Sequence, residues 1–383
     1  MNLTIERCGP VDSARLDLGD LTVLVGPQAT GKSVALQHLK LALEYPAIKR
    51  TLIDHGWDPT RTQESFLADY LGEGMGTLWN ESTVVRLGGK TLRYDLIKSS
   101  NYKKAEHSVY YIPAQRVMTF ENGWPRRFST YDSSVPYVMR EFSESLFLYL
   151  DRTYSSNSSG TLFPHPKSLK AVLKKSLADT VYHGATLGLD KSGTRKRLLL
   201  SPTADVHLPM AAWSAGQREF TPLVLSLNML LPAAARGKHE TIDTVIIEEP
   251  EMGLHPRAVV SFMLLVMELL ARQYKVVLST HSVTILETIW ALGLMKGNPD
   301  GASRFCALFN QGQPKNLKEM AESVLGMSYK VYFFKPGPNG SVSVDISGMD
   351  PSAVRDEADW GGLTEHSTLI AELVAEGSTG YSD

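Results

Sequence analysis

The residues best equipped for chemistry in this chain are Gly26-Pro27-Gln28-Ala29-Thr30-Gly31-Lys32-Ser33, which follow the apolar run Leu21-Thr22-Val23-Leu24-Val25. A Gly-x4-Gly-Lys-Ser spacing after such a run turns successive backbone N–H groups toward the β-phosphate of a nucleoside triphosphate. Lys32 then reaches the β and γ oxygens, and the Ser33 hydroxyl is placed to ligate Mg²⁺. On this reading Gly26, Gln28, Ala29, Thr30, Gly31, Lys32 and Ser33 form the nucleotide cradle, and Ser33-Val34-Ala35-Leu36 opens a helix.

Three distant segments carry the remaining chemistry. Thr244-Val245-Ile246-Ile247-Glu248-Glu249-Pro250 reads as a buried parallel strand ending in paired carboxylates. Glu248 is expected to hold the Mg²⁺ water shell and Glu249 to orient or deprotonate the water that attacks the γ-phosphate. Trp213-Ser214-Ala215-Gly216-Gln217-Arg218-Glu219-Phe220 reads as a helix N-terminus whose small residues admit a phosphate, although alone it would be an ordinary N-cap. Ser214, Gly216 and Gln217 are its candidate contacts. Lys275-Val276-Val277-Leu278-Ser279-Thr280-His281-Ser282 reads as a strand that delivers His281. A histidine there is structural by default; beside the other segments it is suited to positioning the water and sensing the γ-phosphate.

These parts need a scaffold. Residues 1–50 supply the first strands, the loop and its helix, and Val84–Leu96 reads as a hairpin turning at Gly88-Gly89. The chain re-enters the core at Val109–Pro113, and a helical pattern runs around 135–154 before the Ser/Asn/Gly-rich stretch 155–160. Leu187–Leu189 and Leu198–Leu200 flank a charged turn, and Tyr329–Phe334 pairs with Val342–Ile346 across Pro336–Gly340. Residues 377–380 read as a tail. The expected division is 1–121 and 181–383 as two halves of one α/β head, with a mainly helical inserted lobe at 122–180.

The order of the motifs, phosphate loop, Ser-Ala-Gly-Gln, Glu-Glu-Pro-Glu-Met-Gly-Leu-His-Pro at 248–256 and Ser-Thr-His, resembles the ABC-type ATPase heads of the RecF/SMC/OLD group, within the profile families called AAA_15 and AAA_21. Tyr111-Ile112-Pro113-Ala114-Gln115-Arg116 resembles that group's Q-loop strand, and Trp360-Gly361-Gly362-Leu363-Thr364 a short C-terminal motif of its stand-alone members. The resemblance implies a mixed central sheet flanked by helices with an antiparallel β subdomain. It also implies a catalytic set of Glu249, His281 and Gln115, and metal contacts from Ser33, Glu248 and Gln115. ATP and Mg²⁺ are the implied cofactors. A head-to-tail ATP-sandwich dimer would bring Ser214 and Gly216 of one protomer to the γ-phosphate held by Lys32 of another, with His255 where the D-loop crosses over. The chain departs from the family in having Glu248 where aspartate is commoner, and Gln28 where many relatives have asparagine.

Composition narrows the function classes. The 383 residues are 43% hydrophobic, enough for a sizeable core, and a formal net charge of −2 gives no global drive toward nucleic acid. Cys8 and Cys306 have neither metal-ligand spacing nor the number for a secreted disulfide framework. The apolar stretches around 221–235 and 258–271 fall short of a membrane span, so a cytoplasmic protein without membrane contact is expected. The best local DNA candidates are the lysine face Lys167, Lys170 and Lys174 with Lys175, and the segment Lys191–Arg197.

About 100 residues after His281 leave no room for the metal-binding nuclease domain of OLD proteins. Small heads of this type resemble the ATPase components of two-gene antiviral systems, the AriA-like subunit of PARIS or the PtuA-like subunit of Septu. The resemblance therefore implies an ATP-sandwich homo-oligomer that holds and releases a partner nuclease or toxin on a phage-protein trigger. The alternative is a RecF-like DNA-binding clamp in repair, and a third, disfavoured reading is the ATPase of a transporter.

Overall fold

The computed structural model describes all residues except 157–159, 166–168, 191–195, 235–236, 351–354 and 380–383. The early strands are β1 (Asn2–Cys8), β2 (Val11–Asp17), β3 (Leu21–Val25), β4 (Val84–Leu87), β5 (Lys90–Leu92) and β6 (Val109–Ile112). The middle holds a short ribbon, β7 (Phe120–Glu121) with β8 (Trp124–Pro125), then β9 (Thr161–Phe163), β10 (Thr186–Leu189), β11 (Leu198–Thr203) and β12 (Val206–Pro209). The last are β13 (Thr244–Glu248), β14 (Lys275–Ser279), β15 (Tyr329–Lys335) and β16 (Ser341–Asp345).

The main sheet runs β5-β4-β1-β2-β16-β15-β3-β14-β13-β6. Its centre is parallel, with Val23 beside Leu278 and Val331, and Ile246 beside Val277 and Tyr111. Every residue of β3, β6 and β13 is buried, as expected of parallel strands covered on both faces. The β1-β2-β4-β5 wing is antiparallel and includes the expected glycine-turned hairpin, in which Leu87 pairs with Lys90. This is the mixed α/β head with an antiparallel wing that the motif order implied.

The helices are α1 (Lys32–Asp54), α2 (Gln63–Leu71), α3 (Tyr94–Ser99), α4 (Tyr137–Ser156), α5 (Ala171–Leu177) and α6 (Ala215–Leu230). They continue with α7 (Pro256–Ala271), α8 (Val283–Met295), α9 (Gly301–Leu308), α10 (Lys315–Val324), α11 (Arg355–Ala358) and α12 (Glu365–Thr379). Residues 377–379 thus end a helix instead of forming an irregular tail; the apolar and acidic residues from 365 onward carry enough helix propensity to absorb Gly377. Among the described residues no helix is long and apolar enough to cross a membrane.

One core cluster joins α4 and β9 to α6, α7 and the parallel strands. The small sheet β12-β11-β10-β9 likewise spans residues on both sides of position 180. A second cluster packs α1 and α2 under the antiparallel wing. Between these layers α1 is broken at Glu44, whose φ of −143° leaves the helical region two residues before Pro46, a residue that cannot supply the helix N–H. Glu44 uses the break to accept hydrogen bonds from the Ser108 and Val109 N–H groups, both at 2.8 Å, at the entry to β6. Lys40 binds Glu44 and lies 2.8 Å from Glu141, while His107 approaches the same two carboxylates at 3.0 and 3.1 Å. The Lys40 ammonium offsets one of the two carboxylates, and against its burial His107 is pushed up by Glu141 and Glu44, so the cluster is an internal ion-pair network tying α1 to α4.

Candidate functional site

Because β3, β6, β13 and β14 run parallel, their carboxyl ends share one side of the sheet, where ligands of open α/β folds collect. Backbone bonds stitch those ends together: Thr280 N–H donates to Leu24 O at 3.0 Å and Glu249 N–H to Ser279 O at 3.0 Å. The loops carrying Lys32, Glu248, Glu249, Gln115 and His281 therefore form one group, although up to 133 positions separate adjacent members in sequence; the site is made by strand register.

The phosphate loop leaves β3 at Gly26 and enters α1 at Lys32. Gly26 has φ +140°, and a Cβ there would lie 2.7 Å from the Phe334 carbonyl oxygen; Gly31 has φ +88°, with Val11 Cγ2 at 2.4 Å from its Cβ position. Both positions thus require glycine. Ala29 also has a left-handed φ of +60°, a strain of the kind found at ligand clamps. The Thr30 hydroxyl donates to Pro27 O at 2.8 Å, and Ser341 donates to Thr30 O at 2.5 Å. Lys32, only 5% exposed, donates to the Gly26 and Pro27 carbonyls at 2.7 Å each. Burial pulls its pKa down, and Glu249, Glu251 and Glu248 pull it back up.

Glu248 is buried at the end of β13. Its Oε2 accepts from Ala114 N–H at 3.3 Å, while its Oε1 is buried without a hydrogen-bond partner. Burial raises the Glu248 pKa, opposed first by the Ser33 hydroxyl. An orphaned carboxylate oxygen beside a serine hydroxyl matches the hard oxygen donors that Mg²⁺ requires. Ser33 is exposed at the start of α1, and Gln115 is exposed immediately after Ala114; both suit solvent-side contacts to such an ion.

Glu249 breaks from the strand with φ +39°, unusual for a glutamate, which turns its half-buried carboxylate away from β13. Its Oε1 lies 3.3 Å from His281 Nε2. That contact, reinforced by the Lys32 and Arg116 cations, holds the Glu249 pKa below its ordinary value despite partial burial. The carboxylate most suited to accepting a proton from water therefore stays ionised while its neighbour Glu248 is pushed the opposite way.

Two residues complete the geometry that reading the sequence did not single out. Glu251 Oε1 accepts from the Thr280 hydroxyl at 2.8 Å and from His281 N–H at 2.5 Å, clamping the His281 loop to the β13 loop. Arg116 is wholly buried and donates to carbonyls of Pro113 (3.0 Å), Glu219 (2.8 Å), Glu248 (3.1 Å), Glu249 (3.2 Å) and Pro250 (3.4 Å). Burial lowers its pKa to about 10, leaving it charged at neutral pH. It joins the loop after β6, the carboxylate loop and α6. Glu251 stood within the quoted Glu-Glu-Pro-Glu stretch, and Arg116 within the Q-loop-like one. Pro113 apart, their partners lie 29 to 134 positions away, beyond any local pattern.

The Ser-Ala-Gly-Gln segment is set apart. Ser214 caps α6: its hydroxyl accepts from Gln217 N–H at 3.2 Å and Gln217 Oε1 accepts from Ser214 N–H at 3.2 Å, a closed capping box. Ser214 and Gln217 thus bond each other and not the phosphate loop. Gly216 packs on the loop before α7, where a Cβ would lie 2.6 Å from the Gly253 carbonyl oxygen. His255, exposed, caps α7 by accepting from Arg257 N–H at 3.3 Å. At the other end of the chain, Trp360 packs against Trp290 in a tilted pair with ring centroids 5.8 Å apart, and Gly361 lies so close to Phe333 and Val25 that a Cβ would meet them at 2.7 and 3.2 Å.

The proposed lysine face is largely spent on the fold. Lys170 lies 2.8 Å from the buried carboxylate of Glu268, and Lys174 donates to His165 O at 3.0 Å. Lys167 and residues 191–195 fall outside the described residues, as do 157–159 of the serine-rich stretch.

Residues 125–287 match the family model described as "AAA domain, putative AbiEii toxin, Type IV TA system". No curated protein matches the chain. Among solved structures, an Smc head bound to the C-winged helix domain of ScpA is 11% identical with a TM-score of 0.44, covering 90% of this chain and 96% of that one. The SMC head domain from Thermotoga maritima is 9% identical with a TM-score of 0.37, covering 90% and 97%. The ATP binding subunit of an ABC transporter is 14% identical with a TM-score of 0.34, covering 75% and 82%.

Proposed function

We propose that this chain is a P-loop ATPase with an ABC-type head, that it hydrolyses ATP with Mg²⁺, and that it uses nucleotide state to govern a protein partner; the AAA-domain family model matching residues 125–287 supports this reading. The observation that carries hydrolysis is the pairing of opposite carboxylates: ionised Glu249 against His281, beside buried Glu248 with an orphan oxygen next to Ser33. Mg²⁺ held by Ser33 and Glu248, with Gln115 on the solvent side, would neutralise charge on the β and γ phosphates. Lys32 binds the same oxygens, His281 fixes the Glu249 carboxylate, and Glu249 takes the proton of the attacking water.

The exposed, capped Ser214 and Gly216 segment supports a sandwich in which a second copy completes the site. The division into head halves 1–121 and 181–383 around a lobe at 122–180 belongs to the same proposal, with the lobe as a surface for the partner. We place the partner in antiphage defence, as an effector held and released by the ATPase. The toxin–antitoxin wording of the matched family supports that reading. The commitment of Lys170 and Lys174 to internal contacts weighs against the DNA-clamp alternative.

The test is Glu249→Gln, expressed in its native operon and captured with Mg²⁺-ATP. A stoichiometric neighbouring gene product is expected. Co-purifying DNA with no protein partner would replace this reading with the repair clamp.

A further inference from the structure

Glu248 carries the metal role proposed above with one backbone hydrogen bond to orient it. Its Oε2 accepts from Ala114 N–H at 3.3 Å, long for a charged acceptor. A single such bond leaves the carboxylate free to turn about its last torsion, which is broad for glutamate. The Ser33 hydroxyl beside it is given to the metal on the same reading. Carboxylates that hold a metal are kept in orientation by hydrogen bonds from outside the coordination shell, so Glu248 calls for a second donor.

Strand register brings one to it. In the parallel pair of β6 and β13, Tyr111 stands beside Ile246. Both belong to the core cluster under α1, whereas their chain neighbours Tyr110, Ile112, Val245 and Ile247 belong to the other cluster. Side chains two apart on a strand share a face, so Glu248 leaves β13 on the side of Tyr111, at the end of the sheet where α1 begins with Lys32 and Ser33. Tyr111 is only 2% exposed, and its hydroxyl has no hydrogen-bond partner among the described residues; Glu248 Oε1 is in the same condition. The two groups act on each other. Burial first, and then the Glu248 charge, push the pKa of the Tyr111 hydroxyl well up, while that hydroxyl, after Ser33 and Ala114, opposes the burial that raises Glu248. A buried donor and a buried acceptor left unpaired beside each other are each other's complement, because either one alone is costly to keep dry.

We propose that Tyr111 is a positioning residue for Glu248: its hydroxyl donates to Oε1 while Ala114 N–H holds Oε2, and the two bonds together fix the carboxylate toward Ser33. The inference rests on the metal role given to Glu248 under the proposed function. It assigns Tyr111 no contact with nucleotide or metal. The ring is buried in the core, so the hydroxyl is delivered with little freedom of its own.

The test is calorimetric titration of the full chain with ADP, once with Mn²⁺ and once with EDTA, so that no turnover is needed. Tyr111→Phe keeps the buried ring and removes only the hydroxyl. It should weaken ADP binding at least about tenfold with Mn²⁺ and leave binding in EDTA as in the wild type. A merely structural hydroxyl would shift both affinities together or neither. Glu248→Asp withdraws the carboxylate by one methylene, so in that background Tyr111→Phe should have no further effect on the Mn²⁺ titration. An unchanged Mn²⁺ titration for Tyr111→Phe, an equal loss in EDTA, or a full effect of Tyr111→Phe in the Glu248→Asp background would each overturn the inference and leave the metal role of Glu248 standing. A wild-type protein whose ADP affinity ignores Mn²⁺ would overturn that role, and the inference with it.

Discussion

The two halves of the candidate site are built in opposite ways. On the proposed catalytic side, Lys32, Glu248 and Glu251 are buried or nearly so, four loop carbonyls converge on Arg116, and the ends of β3, β13 and β14 are bonded to one another. On the α6 side, Ser214 and Gln217 satisfy each other in a capping box, Ser214 exposed and Gln217 half-buried. The Arg116 bond to Glu219 O at 2.8 Å and the packing of Gly216 on Gly253 connect them. An internally closed half suits the proposed holding of nucleotide within one chain. A capped, exposed half is finished as a helix end and free to meet something else.

The largest effect that follows is on turnover. Glu249→Gln keeps the shape but loses the proton acceptor, and single-turnover measurements should show hydrolysis down about 10²- to 10⁴-fold with ATP binding retained. Wild-type turnover in this variant would remove Glu249 from the reaction and leave the catalytic half without its base.

Next comes the bond between the halves. Arg116→Met leaves five carbonyls without their cation, and urea unfolding should show a loss of about 3 kcal/mol. If Arg116 also aligns α6 with the carboxylate loop, ATP-driven assembly will weaken in this variant more than in a control of equal stability, such as a core Leu→Ala change. Equal loss in both would make Arg116 a purely structural brace.

That brace marks the limit of what the sequence discloses. The phosphate loop, Glu248, Glu249 and His281 were legible because each sits at or next to the end of an apolar strand, where local pattern and chemistry coincide. The parallel strand β13 followed from its apolar run, and the mixed sheet with its antiparallel wing from the resemblance in motif order. Arg116 and Glu251 were hidden because their work is done on backbone atoms brought close only by register, such as Glu219 O, 103 positions away. Lys170 and Lys174 misled in the other direction: helical spacing suggested a charged face, but Glu268 is buried beneath it and needs the Lys170 cation. The break in α1 at Glu44 was invisible for the same reason, since a glutamate that caps the entry of β6 looks like any other helix-surface acid.

A smaller change probes the exposed half. Ser214→Arg removes the N-cap hydroxyl, for which melting should report about 1 kcal/mol, and puts a long cation on the face offered to a second protomer. Nucleotide binding by the monomer is expected to persist while ATP-dependent dimerisation, read by light scattering, is lost. Unaltered assembly would mean that the α6 end does not meet a neighbour's nucleotide.

The subtlest test concerns acid. A carboxylate whose folded pKa is depressed adds stability that is present above its unfolded value and disappears as pH falls through the folded value. Glu249 is such a group, and His281 at 3.3 Å is the first cause of its depression. His281→Ala should therefore raise the Glu249 pKa, so that the acidic limb of the ATPase profile moves to higher pH, while activity at the alkaline end reports whatever else His281 does. The stability difference from wild type should likewise shrink on acidification, because both proteins then carry a protonated Glu249. An acidic limb that stays in place would show that the contact with His281 is too wet to matter, and that the catalytic half owes its ionised base to Lys32 and Arg116 instead.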